Sequence, residues 1–332
     1  MRKKLVLCGF ALLFGTGLSV WYIHHLLITP GPQLPFPVTV LIPQGATLRT
    51  SVHILVSEGV LVNGWVLSWW ARLTGADRKI KSGEYEFTEP LSPLELLRRL
   101  TEGESLRFMV TIPEGKTVKE VAALLAAKGL GTEENFLCLN SDPAFLDRWG
   151  LPPQGLEGYL FPDTYYFSRF ATPEEILGKM IERFYTVFTA AMYRRAEELK
   201  MSPHEVVTLA SLVEKETGAA AERPLVSSVF HNRLKKGMLL QCDPTVIYGI
   251  ENFDGNLTRL HLQTPTPYNT YVNPGLPPGP IANPGLQALL AALNPVDRSY
   301  LYFVAKGDGT HEFSADLATH NRAVQRFQKG RS

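Results

Sequence analysis

The 332-residue chain is long enough for two or three compact units, and its 45% hydrophobic and 20% charged residues are ordinary for a globular protein. A formal net charge of +1 supplies no field that would favour nucleic acid or an acidic partner, and no pattern of a standard nucleic-acid-binding module occurs. Three cysteines are too few for a disulfide framework, and eight scattered histidines have no zinc-ligand spacing, so neither a metal nor a cofactor is expected.

Arg2, Lys3 and Lys4 precede an apolar run from Leu5 to Ile28 that contains no Lys, Arg, Asp or Glu. As a helix at about 1.5 Å per residue this run is roughly 36 Å long, enough for a bilayer core. No Lys or Arg follows until Arg49. The positive-inside rule therefore predicts a cytoplasmic tail at 1–4, a single transmembrane helix at 5–28 and everything after it outside. A cleaved signal peptide would have a shorter apolar stretch ending at small residues, whereas this one runs into Trp21, Tyr22, His24 and His25. Those two histidines are expected at the membrane interface. Nearly all of the apolar run follows Cys8 rather than preceding it, which argues against lipidation there. Outside the run only Cys138 and Cys242 remain, and the sequence leaves open whether they pair.

Residues 29–37 are proline-rich and read as an extended spacer. A repeat follows at an offset of 70 residues: Val40-x-Ile42-Pro43-x-Gly45-x-Thr47 returns as Val110-x-Ile112-Pro113-x-Gly115-x-Thr117. Each copy predicts a short strand, a Pro-x-Gly turn and an amphipathic helix ended by a glycine, Gly59 or Gly129. Between the copies, Ile80–Phe87 alternates like a strand. Ser92-Pro93-x-Glu95 then opens a helix with a capping-box pattern, whose apolar face is expected from Leu94, Leu97 and Leu100. Residues 38–107 thus form a small α/β unit, and the remainder, 108–330, a larger α+β domain. In the latter, long helices are expected near 173–199 and 203–217. Loops rich in Pro, Gly, Asn and Tyr follow, then a late strand at 300–305 and a turn at Gly307-Asp308-Gly309.

The helix after Ser202-Pro203-His204-Glu205 carries the most informative pattern. Val206, Val207, Leu209, Ala210, Leu212 and Val213 occupy one arc, with Thr208 and Lys215 expected opposite, toward solvent, and Gly218 as a C-terminal cap. Glu214 and Glu216 both project onto the apolar arc, where an unpaired charge is costly. One reading pairs each with an arginine such as Arg223 or Arg233 in a structural role. The other raises one carboxyl's pKa by desolvation, as a general acid working near neutrality requires. Spacing does not choose between the two glutamates.

Several blocks resemble a known family. Leu156-Glu157-Gly158-Tyr159-Leu160-Phe161-Pro162-Asp163-Thr164-Tyr165, Leu209-Ala210-Ser211-Leu212-Val213-Glu214-Lys215-Glu216 and the stretch from Val229 through His231-Asn232-Arg233 to Gln241-Cys242-Asp243-Pro244-Thr245 and Tyr248 are three of them. Tyr268-Asn269-Thr270-Tyr271 with Gly275–Ile281, and His311-x-Phe313-Ser314 with His320-Asn321, complete the set. In this order they are similar to the endolytic murein transglycosylase, or YceG-like, family over essentially the whole length. Cys242 departs from the pattern, standing where a small polar residue such as Thr is expected. Residues 38–107 resemble the family's LysM-like domain only loosely.

The resemblance implies a lyase that cuts the MurNAc–GlcNAc bond of nascent peptidoglycan strands, leaving 1,6-anhydro-MurNAc ends and limiting strand elongation. It places the enzyme beside the synthases, with its catalytic domain in the periplasm and its anchor in the inner membrane. It assigns catalysis to the first glutamate of the Glu-Lys-Glu triplet, Glu214, with no cofactor. Gln241, Asn269 and Tyr271 are then candidates for the sugar cleft because amides and hydroxyls both donate and accept hydrogen bonds, with Asp243 beside them. Tyr248 is a candidate aromatic face, and Glu157 a residue that polarises Glu214. The Pro-Gly segment 274–285 is expected as a rigid cleft-wall loop. Two alternatives stand beside this reading: a hydrolytic muramidase in which a second carboxylate such as Glu157 handles water, and a non-catalytic glycan-binding scaffold of the wall-synthesis machinery.

Overall fold

The computed structural model describes residues 2–329, with side chains from 15 to 328. The expected cytoplasmic tail, Cys8 and the first half of the expected span therefore lie outside the described side chains. Arg2–Ile28 form one helix, α1. Among the described residues no helix is long and apolar enough to cross a membrane.

The chain is mixed α and β and divides into two compact units, one of residues 1–109 and 166–171, the other of 110–165 and 172–332. The first unit pairs β1 (Val38–Ile42) with a later strand and holds α2 (Leu48–Ser57) and α3 (Gly64–Thr74) between them. That strand is β2 (Gly83–Phe87), antiparallel to β1 with Val40 opposite Tyr85, and α4 (Pro93–Glu102) follows it. Alternation turns Val40 and Ile42 of β1 and Tyr85 and Phe87 of β2 to one face, where Leu55, Leu96 and Leu100 complete the core. The expected capping box of α4 forms only in part. Ser92 Oγ accepts from Glu95 N at 3.3 Å, but the Glu95 carboxylate turns to Arg98 instead. Leu94 is 41% exposed, so the buried face of α4 is Leu96, Leu97 and Leu100. Residues 29–37 run along this unit rather than away from it: Gly31 N donates to Leu91 O at 3.0 Å, and Leu34 and Phe36 pack on the core.

β3 (Arg107–Thr111) begins the second copy of the repeat and leads to α5 (Val118–Ala127), α6 (Glu133–Asn140) and α7 (Pro143–Trp149). Both copies build the same local structure. Thr47 and Thr117 cap α2 and α5 through their hydroxyls, Gly45 and Gly115 both take φ of 74°, and Gly59 and Gly129 end the helices at φ of 75° and 71°. β3 pairs with β4 (Thr164–Ser168). The helix expected at 173–199 is two, α8 (Pro173–Val187) and α9 (Ala190–Glu198). Phe188 breaks it by leaving the helical region to bury its ring against Phe184 and Tyr193 at centroid distances of 5.6 and 4.8 Å.

α10 (Pro203–Glu216) is the central helix of this unit. It opens with the expected capping box, Ser202 Oγ accepting from Glu205 N while the Glu205 carboxylate accepts from Ser202 N. Every residue from Val206 to Val213 is buried. Thr208 is therefore not on a solvent face: its hydroxyl returns to His204 O at 2.8 Å, as a buried hydroxyl must. The helix stops one residue earlier than the sequence suggests, at an extended Thr217, without a left-handed glycine at Gly218. Around α10 lie α11 (Arg223–Lys235), α12 (Asp243–Tyr248) and α14 (Leu286–Leu293), with α13 (Arg259–Gln263) against α12. The late strand, β5 (Tyr302–Ala305), forms an antiparallel hairpin with β6 (His311–Ser314) across the Gly307–Gly309 turn, and α15 (Leu317–Val324) follows. Cys138 and Cys242 are both free, the first exposed and the second buried.

Candidate active site

The last turn of α10 carries Glu214 and Glu216, two residues apart and so on divergent sides of the helix. Each meets a different environment. Glu214 accepts from Arg223 Nη2 at 2.8 Å through one oxygen and from Gly285 N at 3.0 Å through the other. Its side chain is 6% exposed and that of Arg223 9%. Arg223 also faces Glu114 at 3.5 Å, whose carboxyl is raised by burial first and by the neighbouring Glu214 charge second. Glu214 is thus held in a buried ion pair, and it lines neither of the cavities beside α10. Arg223 is the partner that the structural reading of the sequence requires.

Glu216 opens into a cavity of about 370 Å³ whose wall includes Gln241, Asp243, Tyr271, Arg233 and His311. Burial pushes its carboxyl up to about 6, Asp243 adding to the rise. The buried Cys242 thiol, hydrogen-bonded to the carboxyl, opposes it, as do the more distant charges of His311 and Arg233. The residues of the cavity wall are tied to one another and to the backbone by hydrogen bonds. Arg233 donates to Leu301 O at 2.7 Å, Leu240 O at 2.8 Å and Gln241 Oε1 at 3.3 Å. Tyr271 donates its hydroxyl to Asp243 Oδ1. Gln241 is held at φ of 51°, a left-handed conformation uncommon for a side-chain-bearing residue, with its N–H on Thr270 O at 3.1 Å. His311 is fixed by Glu222, whose carboxylate takes its N–H at 2.9 Å and meets its Nδ1 at 2.7 Å. The buried His320 Nδ1 on the same wall has no hydrogen-bond partner.

The sequence-predicted residues accordingly separate into groups. Gln241, Asp243 and Tyr271 meet Glu216 at one cavity. Glu157 and Tyr248 meet each other, hydroxyl to carboxylate at 3.2 Å, at a second cavity of about 650 Å³ on another side of α10. Glu157 also accepts from Val118 N at 3.1 Å and Asn283 Nδ2 at 3.3 Å. Burial pushes its carboxyl up to about 8 against these donors. None of its hydrogen-bond partners is Glu214. Asn269 faces no cleft: it is fully buried, its amide donates to Leu262 O at 3.1 Å and Thr264 O at 2.8 Å, and its oxygen accepts from Tyr271 N at 2.8 Å. It shapes the loop that presents Tyr271. Among the described residues no group of His, Cys, Asp or Glu has metal-binding geometry.

Comparison with known proteins gives one answer from three directions. The YceG-like family model matches residues 40–326. The chain is 32% identical over 306 residues to the "endolytic murein transglycosylase" of Bacillus subtilis, covering 87% of this chain and 84% of that one. It is 29% identical to the protein of the same name from Streptococcus pneumoniae, of whose length it spans 58%. A crystal structure of a yceG-like protein from Listeria monocytogenes superposes with a TM-score of 0.60 at 32% identity, covering 87% of this chain and 99% of that one. The chain belongs to the YceG-like family.

Two features of this YceG-like chain escaped the sequence. The segment 274–285 is more than a cleft wall, for its second half threads through the core: Ile281 N donates to Ser211 Oγ at 3.0 Å, Asn283 joins Lys116 O, Leu160 N and Glu157, and Gly285 N reaches Glu214. Asn283 is fully buried and ties three separate stretches together. An asparagine in a Pro-Gly run reads as a turn former, so nothing local marks this role.

Proposed function

We propose that this chain is an endolytic murein transglycosylase, a lyase that cuts the MurNAc–GlcNAc bond of peptidoglycan strands, with Glu216 as its general acid and base. The observation that carries the assignment is the placement of a carboxyl at about 6, near the operating pH, in an open cavity walled by Gln241, Asp243 and Tyr271. Glu214, which the resemblance makes catalytic, is bound through both oxygens, by Arg223 and by Gly285 N, and lines neither cavity. It ties the last turn of α10 to Arg223 and is the second candidate for the acid.

In this mechanism Glu216, protonated at rest, gives its proton to the glycosidic oxygen as the bond to C1 of MurNAc breaks. The resulting carboxylate takes the proton of that sugar's C6 hydroxyl while the hydroxyl oxygen closes on C1. The products are a GlcNAc hydroxyl and a 1,6-anhydro ring, with Glu216 again protonated and no water consumed. The nucleophile belongs to the same sugar, so a second carboxylate is not required, and its proximity supplies much of the rate advantage. Gln241 and the Tyr271–Asp243 pair offer donors and acceptors to the sugar ring.

Asp243 on the same wall supports hydrolysis as the second reading, since it is a carboxylate able to activate water opposite Glu216. Glu157 opens on the other cavity and is not in that position. Further parts of the proposal are α1 as a single inner-membrane span with the remainder in the periplasm, residues 38–107 as a glycan-binding LysM-like domain, 108–330 as the catalytic domain, and work beside the synthases that limits strand length. Mass spectrometry of strands digested by the protein tests the reaction type. New ends of 1,6-anhydro mass support the lyase, ends heavier by one water make it a hydrolase, and no new ends from folded protein leave a glycan-binding scaffold.

A further inference from the structure

α3 presents an apolar stripe to solvent. Trp65, Trp69 and Leu73 recur every four residues and so share one helix face, and they are 50%, 45% and 63% exposed. Val62, just before the helix, is 72% exposed. The opposite face, Val66, Leu67 and Ala71, is the one that joins the core. Two bulky indoles left half in water beside a completed core are unusual, and single exposed apolar residues do not align in this way. α3 contains no acidic residue, and the exposed cations Arg72, Arg78 and Lys79 lie at its C-terminal end.

The position of the stripe relative to α1 indicates what covers it. Both helices belong to the same unit and pack together. Trp65 shares a depression with Tyr22, Leu26 and Pro30 of the α1 exit, and Trp69 with Trp70 shares another with Val20, Ile23 and Leu27. Val20 stands eight residues before the end of α1, about 12 Å along its axis. The medium that surrounds this last part of α1 therefore also reaches the stripe on α3. Trp21 and Tyr22, 62% and 54% exposed, stand at the same level of α1. Residues 29–37 allow no separation, because they are bound along the unit through Gly31 and Leu34.

We propose that α3 is a second membrane contact, lying in the outer surface of the bilayer with Trp65, Trp69 and Leu73 at the headgroup–acyl boundary and Arg72, Arg78 and Lys79 among anionic headgroups. This rests on the reading of α1 as a membrane span. The chemistry suits an interfacial helix: a short amphipathic segment, indoles and leucine on one face, and three cations at its border against the single anion there, Asp77. A protein partner would not account for the alignment with the aromatic level of α1. The first unit is thereby held flat on the membrane instead of hanging from a tether.

Site-directed spin labelling of the full chain in bilayer nanodiscs containing phosphatidylglycerol tests this. Cys8, Cys138 and Cys242 are replaced by Ala, Ser and Thr, and single cysteines are placed as Trp69→Cys, Leu73→Cys and, within the span, Thr16→Cys. Labels at 69 and 73 are expected to collide with oxygen more than with a water-soluble nickel chelate, as the label at 16 does. A label at 16 shielded from nickel with labels at 69 and 73 open to it would overturn the proposal while leaving the span intact. Nickel access at 16 would remove the span and the proposal together. The native chain gives an independent check without labels. Lipids brominated near the headgroup should quench its tryptophan fluorescence, and Trp65→Phe with Trp69→Phe should lose most of that quenching. An unchanged quenched fraction would count against α3.

Discussion

Replacing Arg223 by methionine should destabilise the second unit by about 3–4 kcal/mol at neutral pH, because it leaves Glu214 buried without a cation. The pair is 2.8 Å apart, which at an effective dielectric constant of 20 corresponds to about 6 kcal/mol of gross attraction. Much of that is offset by the desolvation of both groups, and breaking a buried pair from one side typically costs about 3–5 kcal/mol. Glu114 stands at 3.5 Å from the same guanidinium and would then face Glu214 with no cation between them. Glu214→Gln in the Arg223→Met background should restore at least about 2 kcal/mol, because the neutral amide oxygen still accepts from Gly285 N. Opening free energies from hydrogen exchange of the α10 amides report this within the unit concerned. Additivity of the two substitutions within about 0.5 kcal/mol would mean that Glu214 and Arg223 do not act as a pair, and the structural role given to Glu214 would fall.

Other consequences follow from the same geometry. Activity should decline above about pH 6, because Glu216 donates a proton only while protonated and its carboxyl sits at about 6. Asp243→Asn removes a charge that raises this carboxyl and should move the decline to lower pH, whereas Cys242→Ala removes a donor that lowers it and should move the decline to higher pH; kcat/KM profiles show both. The Glu157 carboxyl, raised by burial to about 8, binds its proton more tightly in the folded chain than in the unfolded one. Its contribution should therefore make the fold more stable as the pH falls from about 8 toward 4.5, and Glu157→Gln should flatten that dependence in urea titrations. Gly158→Ala should cost at least about 2 kcal/mol, because φ there is 89° and a Cβ would come within 2.7 Å of both Pro280 and Val207; a thermal midpoint like that of the parent chain would refute it.

Local signals were legible in the sequence and non-local ones were not. Ser202-Pro203 starts its helix where the sequence pattern says, since a cap depends on residues within one turn. The repeat at 70 residues likewise reproduces its turn glycines in both copies. Periodicity puts Thr208 toward solvent because it presumes that a helix has a wet side, whereas α10 is buried on all sides over its middle. The difference between Glu214 and Glu216 was out of reach for another reason. It lies in the neighbours that the fold delivers, Arg223 and Gly285 to the first and Cys242 with Asp243 to the second, none of them within one helical turn. Residue type alone suggests Gln241, Asn269 and Tyr271 for a sugar cleft, and it does not tell a side chain that lines a cavity from one that, like Asn269, binds its own loop.

The most direct test of the central claim compares Glu216→Gln with Glu214→Gln in the release of 1,6-anhydro ends from purified glycan strands, each variant first checked for folding by circular dichroism. Folded Glu216→Gln should release none above background, while Glu214→Gln should keep measurable release with lowered stability. Release by Glu216→Gln at the rate of the parent chain, with a folded but inactive Glu214→Gln, would contradict the assignment and return the catalytic role to Glu214.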